Sequence, residues 1–158
     1  MAKMRIYIAA PLFNENEQAF NARLASGIAR YANVFLPQRD GSLLVNMLGA
    51  GIALEVAERR VFEQDRQAMI CSDLLIAVLD GAHIDEGVAF ELGFASALGC
   101  TCVGLQTDVR RALPTGNNPM IGGCLERIFH TSGELFDWVS ERAGTFELIG
   151  TNCSPMRA

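Results

Sequence analysis

The clearest strand in the sequence is Leu74-Leu75-Ile76-Ala77-Val78-Leu79. It is short, aliphatic and uninterrupted, as expected for a central strand of a parallel sheet that is covered on both faces. The sequence then predicts a helix from Asp85 to Leu98, with Asp85 as its N-cap and Gly99 as the residue that ends it. A buried strand followed directly by a helix is half of a parallel β–α–β unit.

The same alternation extends in both directions along the chain. We predict further strands at 5–10, 33–36, 101–106 and 127–130, and helices at 15–31, 59–70 and 132–143, with an apolar flap of one or two short helices at 42–58. This order indicates an α/β fold: a doubly wound, flavodoxin- or Rossmann-like sheet of five parallel strands with helices on both faces. We expect a single domain over residues 1–149, followed by a flexible tail at 150–158.

The composition excludes several classes of function. Half of the 158 residues are apolar and the net charge is −5, without a basic stripe, so a nucleic-acid binder is not expected. No signal peptide or membrane span is found, and the odd number of cysteines is typical of a reducing cytoplasm. With only two histidines available, Cys100 and Cys102 are interpreted as idle thiols rather than as a zinc site. We therefore expect neither metal nor cofactor.

The segment after the first strand has no glycine-rich phosphate turn, which excludes a dinucleotide site and a P-loop. Ligands of doubly wound folds bind at the carboxyl ends of the strands. There, Glu91 is the only charged residue between Gly87 and Gly104. It could lie on an exposed stripe of its helix, but its apolar neighbours favour a functional carboxylate in a dry pocket. Its place near the helix N-terminus favours the ionised form.

A buried carboxylate is a suitable nucleophile for an anomeric carbon. Gly87 lies one turn before Glu91 on the same helix face and leaves room for a sugar ring. Three other residues each have an ordinary structural interpretation. Asp85 can cap its helix, contact substrate, or do both; Asp73 has the position of a solvated turn residue; and Tyr7 could be an ordinary core aromatic.

Four segments in chain order resemble the nucleoside 2-deoxyribosyltransferases. They are Ile6-Tyr7-Ile8-Ala9-Ala10-Pro11-Leu12-Phe13, Cys71-Ser72-Asp73-Leu74-Leu75-Ile76, Asp85-Glu86-Gly87-Val88-Ala89-Phe90-Glu91-Leu92-Gly93-Phe94-Ala95 and Asn118-Pro119-Met120. The resemblance runs from the first strand to about residue 123, and its most specific part is the D-x-G-x-x-x-E-L-G pattern. It implies transfer of a 2-deoxyribosyl group between a 2'-deoxynucleoside and a free nucleobase, in nucleoside salvage.

The resemblance also implies roles for individual residues. Glu91 would form a covalent deoxyribosyl intermediate with overall retention of configuration, Tyr7 would orient it, and Asp73 would protonate the leaving base. Asp85 would hold the sugar's 5'-hydroxyl or the base edge. The remaining substrate-binding residues are expected to be Gly87, Phe13, Gln38, Asn118 and Met120.

Asn118 and Met120 would complete the pocket of a neighbouring subunit, which implies a homo-oligomer built from dimers and possibly a hexamer. Two alternatives stay open. One is an N-hydrolase of 2'-deoxynucleosides or of their 5'-monophosphates, and the other is a non-catalytic nucleoside-binding domain. The first loop, Pro11 to Glu15, is apolar and acidic, which disfavours a phosphate.

Overall fold

The fold is a five-stranded parallel sheet with helices packed on both faces. The computed structural model describes residues 3–110, 113 and 116–149. The strands lie in the order β2-β1-β3-β4-β5, and every neighbouring pair is parallel. This order is the flavodoxin-like form of the doubly wound fold. It confirms the predicted α/β class.

The bounds of the elements follow the chain. The strands are β1 Arg5–Ala9, β2 Asn33–Phe35, β3 Leu74–Val78, β4 Thr101–Leu105 and β5 Arg127–Phe129. The helices are α1 Glu15–Ile28, α2 Pro37–Asp40, α3 Leu44–Gly49, α4 Leu54–Ile70, α5 Glu86–Ala97, α6 Pro119–Gly122 and α7 Ser132–Ile149.

Two apolar cores lie on opposite faces of the sheet because side chains alternate along each strand. In β1, Ile6 and Ile8 face the core that contains residues of α1 and α7. Tyr7 and Ala9 face the other core, which contains residues of α4 and α5. The alternation therefore directs the Tyr7 side chain to the face where α5 carries Glu91.

The ends of α5 follow the predicted cap and terminating glycine, and α1 has a cap of the same kind, although several bounds differ. Asn14 caps α1 by accepting from the Glu17 amide, and Asp85 caps α5 by accepting from the Val88 amide. Gly99 has φ +75°, the left-handed conformation that a glycine adopts without strain.

The last five residues of the predicted flap, 54–58, form the start of α4, since no residue between Leu54 and Ile70 breaks the helix. Helix α7 continues six residues beyond the predicted end, and the short helices α2 and α6 were not predicted. The expected tail at 150–158 lies outside the described residues.

Among the described residues, no helix is both long and apolar enough to cross a membrane. The same part of the chain holds no group of three or more His, Cys, Asp or Glu side chains placed to bind a metal ion.

Candidate active site

The site is centred on a hydrogen bond between β1 and α5. The Tyr7 hydroxyl donates to Glu91 Oε1 over 2.5 Å. Tyr7 is fully buried, and its ring stacks on Phe35 of the adjacent strand with the ring centroids 5.5 Å apart. A phenol fixed on both sides in this way holds the carboxylate in one orientation. The contact expected between these two residues is present.

Glu91 lies against a cavity of about 300 Å³ between α4, α5 and α3. Most of the wall is apolar, and three carboxylates interrupt it. The lining residues are Leu44, Glu58, Val61, Phe62, Asp65, Met69, Gly87, Phe90 and Glu91. A mostly apolar cavity with a few convergent polar groups is the usual form of a small-molecule site.

Asp65 is the residue that the sequence analysis missed. It lies on α4, which faces α5 across the cavity, and its charge acts on both Glu91 and Tyr7. Its spacing could have revealed it. Val61, Asp65 and Met69 recur at every fourth position, so an acidic residue stands in the middle of the inward stripe of α4.

The environment raises the pKa of both facing carboxyl groups. Burial raises the pKa of Glu91 to about 7; the hydrogen bond from Tyr7 opposes this rise, and the negative charges of Asp65 and Asp85 add to it. Burial likewise raises the pKa of Asp65 to about 6. The helix terminus was expected to favour ionised Glu91, but the loss of hydration on burial is the larger effect. Burial and the Glu91 charge raise the pKa of Tyr7 far above its ordinary value, so its hydroxyl stays a donor.

Two residues at the start of α5 lie close to Glu91. Asp85 is near enough for its charge to act on Glu91, while its Oδ1 caps the helix at 3.1 Å from the Val88 amide. Gly87 lines the cavity. A methyl group at Gly87 would meet one described neighbour, Asp85 Oδ1, at 3.1 Å. The absence of that methyl group leaves open space over this turn of α5.

The structure does not bring Asp73 to this cavity. Asp73 precedes β3, and its carboxylate accepts from the Arg5 backbone amide at 2.8 Å and from the Arg5 Nε and Nη2 at 3.1 and 2.9 Å. Its side chain is 8% exposed. It therefore joins the beginnings of β1 and β3, at the amino edge of the sheet, whereas ligands of this fold bind at the carboxyl edge.

The other four expected binding residues do not line the cavity of their own chain. The Gln38 amide is engaged by Asn21 and by the Gln18 carbonyl. Phe13 is 75% exposed and Met120 is 78% exposed. Asn118 caps the short helix α6 by accepting from the Met120 amide at 2.9 Å.

Known proteins share the fold of this chain. A family model described as nucleoside 2-deoxyribosyltransferase matches residues 6–147. No curated protein matches the chain. Among solved structures, a conserved protein from Enterococcus faecalis V583 is similar, with 27% identity and a TM-score of 0.75 over 89% of this chain and 99% of the other.

Two further structures share the fold at lower identity. A 2-deoxyribosyltransferase from Bacillus psychrosaccharolyticus has 21% identity and a TM-score of 0.66 over 84% of this chain and 90% of the other. The Clostridium botulinum CMP N-glycosidase BcmB has 18% identity and a TM-score of 0.55 over 87% of this chain and 98% of the other. Since the family model extends from β1 into α7, the chain belongs to the nucleoside 2-deoxyribosyltransferase family.

Proposed function

We propose that this protein transfers the 2-deoxyribosyl group between the bases of 2'-deoxynucleosides through a covalent bond to Glu91. The observation that carries the proposal is the partly buried Glu91 carboxylate, which is held by Tyr7 and faces Asp65 across an apolar cavity. A nucleophile, a group that orients it and a second carboxyl group as proton donor are the three parts that displacement at an anomeric carbon requires.

In the first step, ionised Glu91 attacks C1' of the nucleoside. The carboxylate oxygen forms a bond to C1' as the bond from C1' to the base nitrogen breaks, and protonated Asp65 gives its proton to the departing base. Asp65 takes this role in place of Asp73, because Asp65 lines the cavity and Asp73 is bound to Arg5. Burial raises the pKa of Asp65 to about 6 and that of Glu91 to about 7, so the pair shares one proton near neutral pH and part of the population carries it on Asp65.

In the second step, an incoming base gives a proton to Asp65 and attacks C1' from the face that the first base left. The ester bond to Glu91 breaks, and the carboxylate returns to its starting state. Each step inverts C1', so the product retains the β configuration.

The charge of the cavity favours a nucleoside over a nucleotide. Three carboxylates line it, and none of the described lining residues is Lys, Arg or His. A 5'-phosphate usually requires basic side chains or backbone amides as partners. The alternative of a nucleotide N-hydrolase, an activity that the name of the Clostridium protein describes, therefore fits this pocket less well.

The apolar wall of the cavity favours transfer over hydrolysis. Leu44 of α3 and Phe62 of α4 belong to the cavity wall, and an apolar cover keeps water from the ester. Deoxyinosine with excess adenine should yield deoxyadenosine. Formation of free deoxyribose without deoxyadenosine would assign the chain to the hydrolases, and binding without any cleavage would assign it to the non-catalytic nucleoside-binding domains.

We further propose that Asn118 and Met120 complete the pocket of a neighbouring subunit. The support is that both residues are exposed and that neither lines the cavity of its own chain. The test mixes Glu91→Ala chains with Asn118→Ala chains, each poorly active alone. Refolded mixtures should recover activity through hybrid sites that hold both native residues, and mixtures no more active than the separate variants would contradict a shared site.

A further inference from the structure

Glu58 is a third carboxylate in the cavity, and the proposed mechanism does not use it. It lies on the same face of α4 as Asp65, seven residues earlier, which is about 10 Å along the helix axis. Within the described part of the chain, Glu58 makes no hydrogen bond and no ion pair, and it is exposed. Its acceptor oxygens are available to a ligand.

Two aromatic rings line the same cavity, one four residues after Glu58 on α4 and the other next to Glu91 on α5. Phe62 and Phe90 have their ring centroids 6.4 Å apart, and both line the cavity while remaining about half exposed. Flat apolar surfaces of this kind stack on any nucleobase, because every base has a flat face. A base whose sugar reaches Glu91 would lie along these rings with its far edge toward Glu58.

We propose that Glu58 selects the base, and that the base selected is guanine. This inference rests on the proposed transfer function. A carboxylate has acceptors only, and its two oxygens complement two adjacent donors. Guanine presents such a pair on its six-membered ring, the N1–H and the 2-amino group, on the side away from N9. Hypoxanthine offers the N1–H alone, and adenine offers its 6-amino group beside the N1 acceptor, which the second carboxylate oxygen repels.

The test compares kcat/KM for deoxyguanosine, deoxyinosine and deoxyadenosine as donors. Deoxyguanosine and deoxyinosine differ by the 2-amino group only. The wild-type protein should prefer deoxyguanosine by roughly 10-fold, the lower end for a hydrogen bond to a charged group because Glu58 is exposed. In Glu58→Ala the ratio should fall toward one.

Glu58→Gln gives a sharper result because it keeps the size of the side chain. The amide has one acceptor and one donor, which match the 6-amino group and N1 of adenine and also the N1–H and O6 of guanine and hypoxanthine. Deoxyguanosine should then lose its advantage over deoxyinosine while cleavage of deoxyadenosine rises relative to both, a change that a merely structural role of Glu58 would not produce. Glu55→Gln is the matched control, since it removes the same charge one turn earlier on α4, outside the cavity lining, and should leave the ratios unchanged.

The outcomes separate the two proposals. If the wild-type protein cleaves deoxyinosine and deoxyguanosine equally well, or if folded Glu58→Ala and Glu58→Gln keep the wild-type ratios, Glu58 does not select the base and the transfer function stands. If the wild-type protein cleaves no deoxynucleoside, the proposed function fails and the role of Glu58 fails with it.

Discussion

The Tyr7 hydroxyl and the Glu91 carboxylate meet at 2.5 Å where β1 passes beneath α5. The two residues are 84 positions apart in sequence, and the parallel pairing of β1 with β3 brings them together. Tyr7 is fully buried and stacked on Phe35, so its hydroxyl has little freedom to turn away. The hydrogen bond lowers the pKa of Glu91 against the larger effect of burial. Tyr7 thus orients the carboxylate and also favours its ionised form.

Tyr7→Phe should therefore lower kcat/KM by about 10-fold to 100-fold, as expected for the loss of a hydrogen bond to a charged group. Because that bond lowers the pKa of Glu91, the maximum of the pH–rate profile should also move to higher pH. Tyr31→Phe is the control, since Tyr31 packs against the core on the opposite face of the sheet. A pH maximum that does not move in Tyr7→Phe would contradict the assigned contact.

The two facing carboxyl groups predict a bell-shaped dependence of kcat/KM on pH. Burial raises the pKa of Asp65 to about 6 and that of Glu91 to about 7. The groups interact, so these values belong to the pair, which holds one proton between them. Below about 6 both groups are protonated and the nucleophile is lost, whereas above about 7 both are ionised and the acid is lost. Stopped assays from pH 4.5 to 8.5 should find the maximum near neutrality, and a flat profile over this range would exclude the pair.

The raised pKa of Glu91 also has a consequence for stability. A carboxyl group with a folded-state pKa above the ordinary 4.5 contributes stability that is complete below about 4.5 and is lost as the pH rises through about 7. At pH 8 the wild-type protein therefore holds a costly, partly buried charge at Glu91. Glu91→Gln removes the charge and keeps an acceptor for Tyr7. It should raise the free energy of unfolding by about 2 kcal/mol at pH 8, less than the full shift implies because Glu91 is partly exposed.

Denaturant unfolding of both proteins at pH 8 and pH 5 measures this difference. The gain should shrink at pH 5, where Glu91 of the wild-type protein is protonated. Equal gains at both pH values would mean that the stabilisation does not come from the charge of Glu91.

The fold could be predicted because its signals are local. The pattern of Leu74–Val78 alone indicates a buried strand. Asp85 and Gly99 lie within a few positions of the two ends of α5 and predict them. Glu91 was identified because an isolated charge contradicts an apolar pattern. Its contact with Tyr7 followed only from the family resemblance, since no local signal joins residues 84 positions apart.

Asp65 was harder to identify because α4 also carries many charges on its exposed face. The composition of α4 does not separate an inward-pointing carboxylate from these exposed charges. Only the spacing of Asp65 from Val61 and Met69 distinguishes it. The expectation for Asp73 came from resemblance alone, and nothing in the sequence indicated its bond to Arg5.

Asn substitutions at Asp65 and Asp73 distinguish the two candidate acids. Asp65→Asn keeps the shape of the side chain but cannot give a proton to the leaving base, so kcat/KM for deoxyinosine should fall by about 100-fold to 10,000-fold. A 2-deoxyriboside with 4-nitrophenolate as leaving group needs no proton, and its cleavage should survive in the same variant. Asp73→Asn should instead weaken the link to Arg5, lower the free energy of unfolding by about 1–3 kcal/mol, and change kcat/KM of the folded protein little. Loss of activity in folded Asp73→Asn, with deoxyinosine cleavage intact in Asp65→Asn, would return the acid role to Asp73.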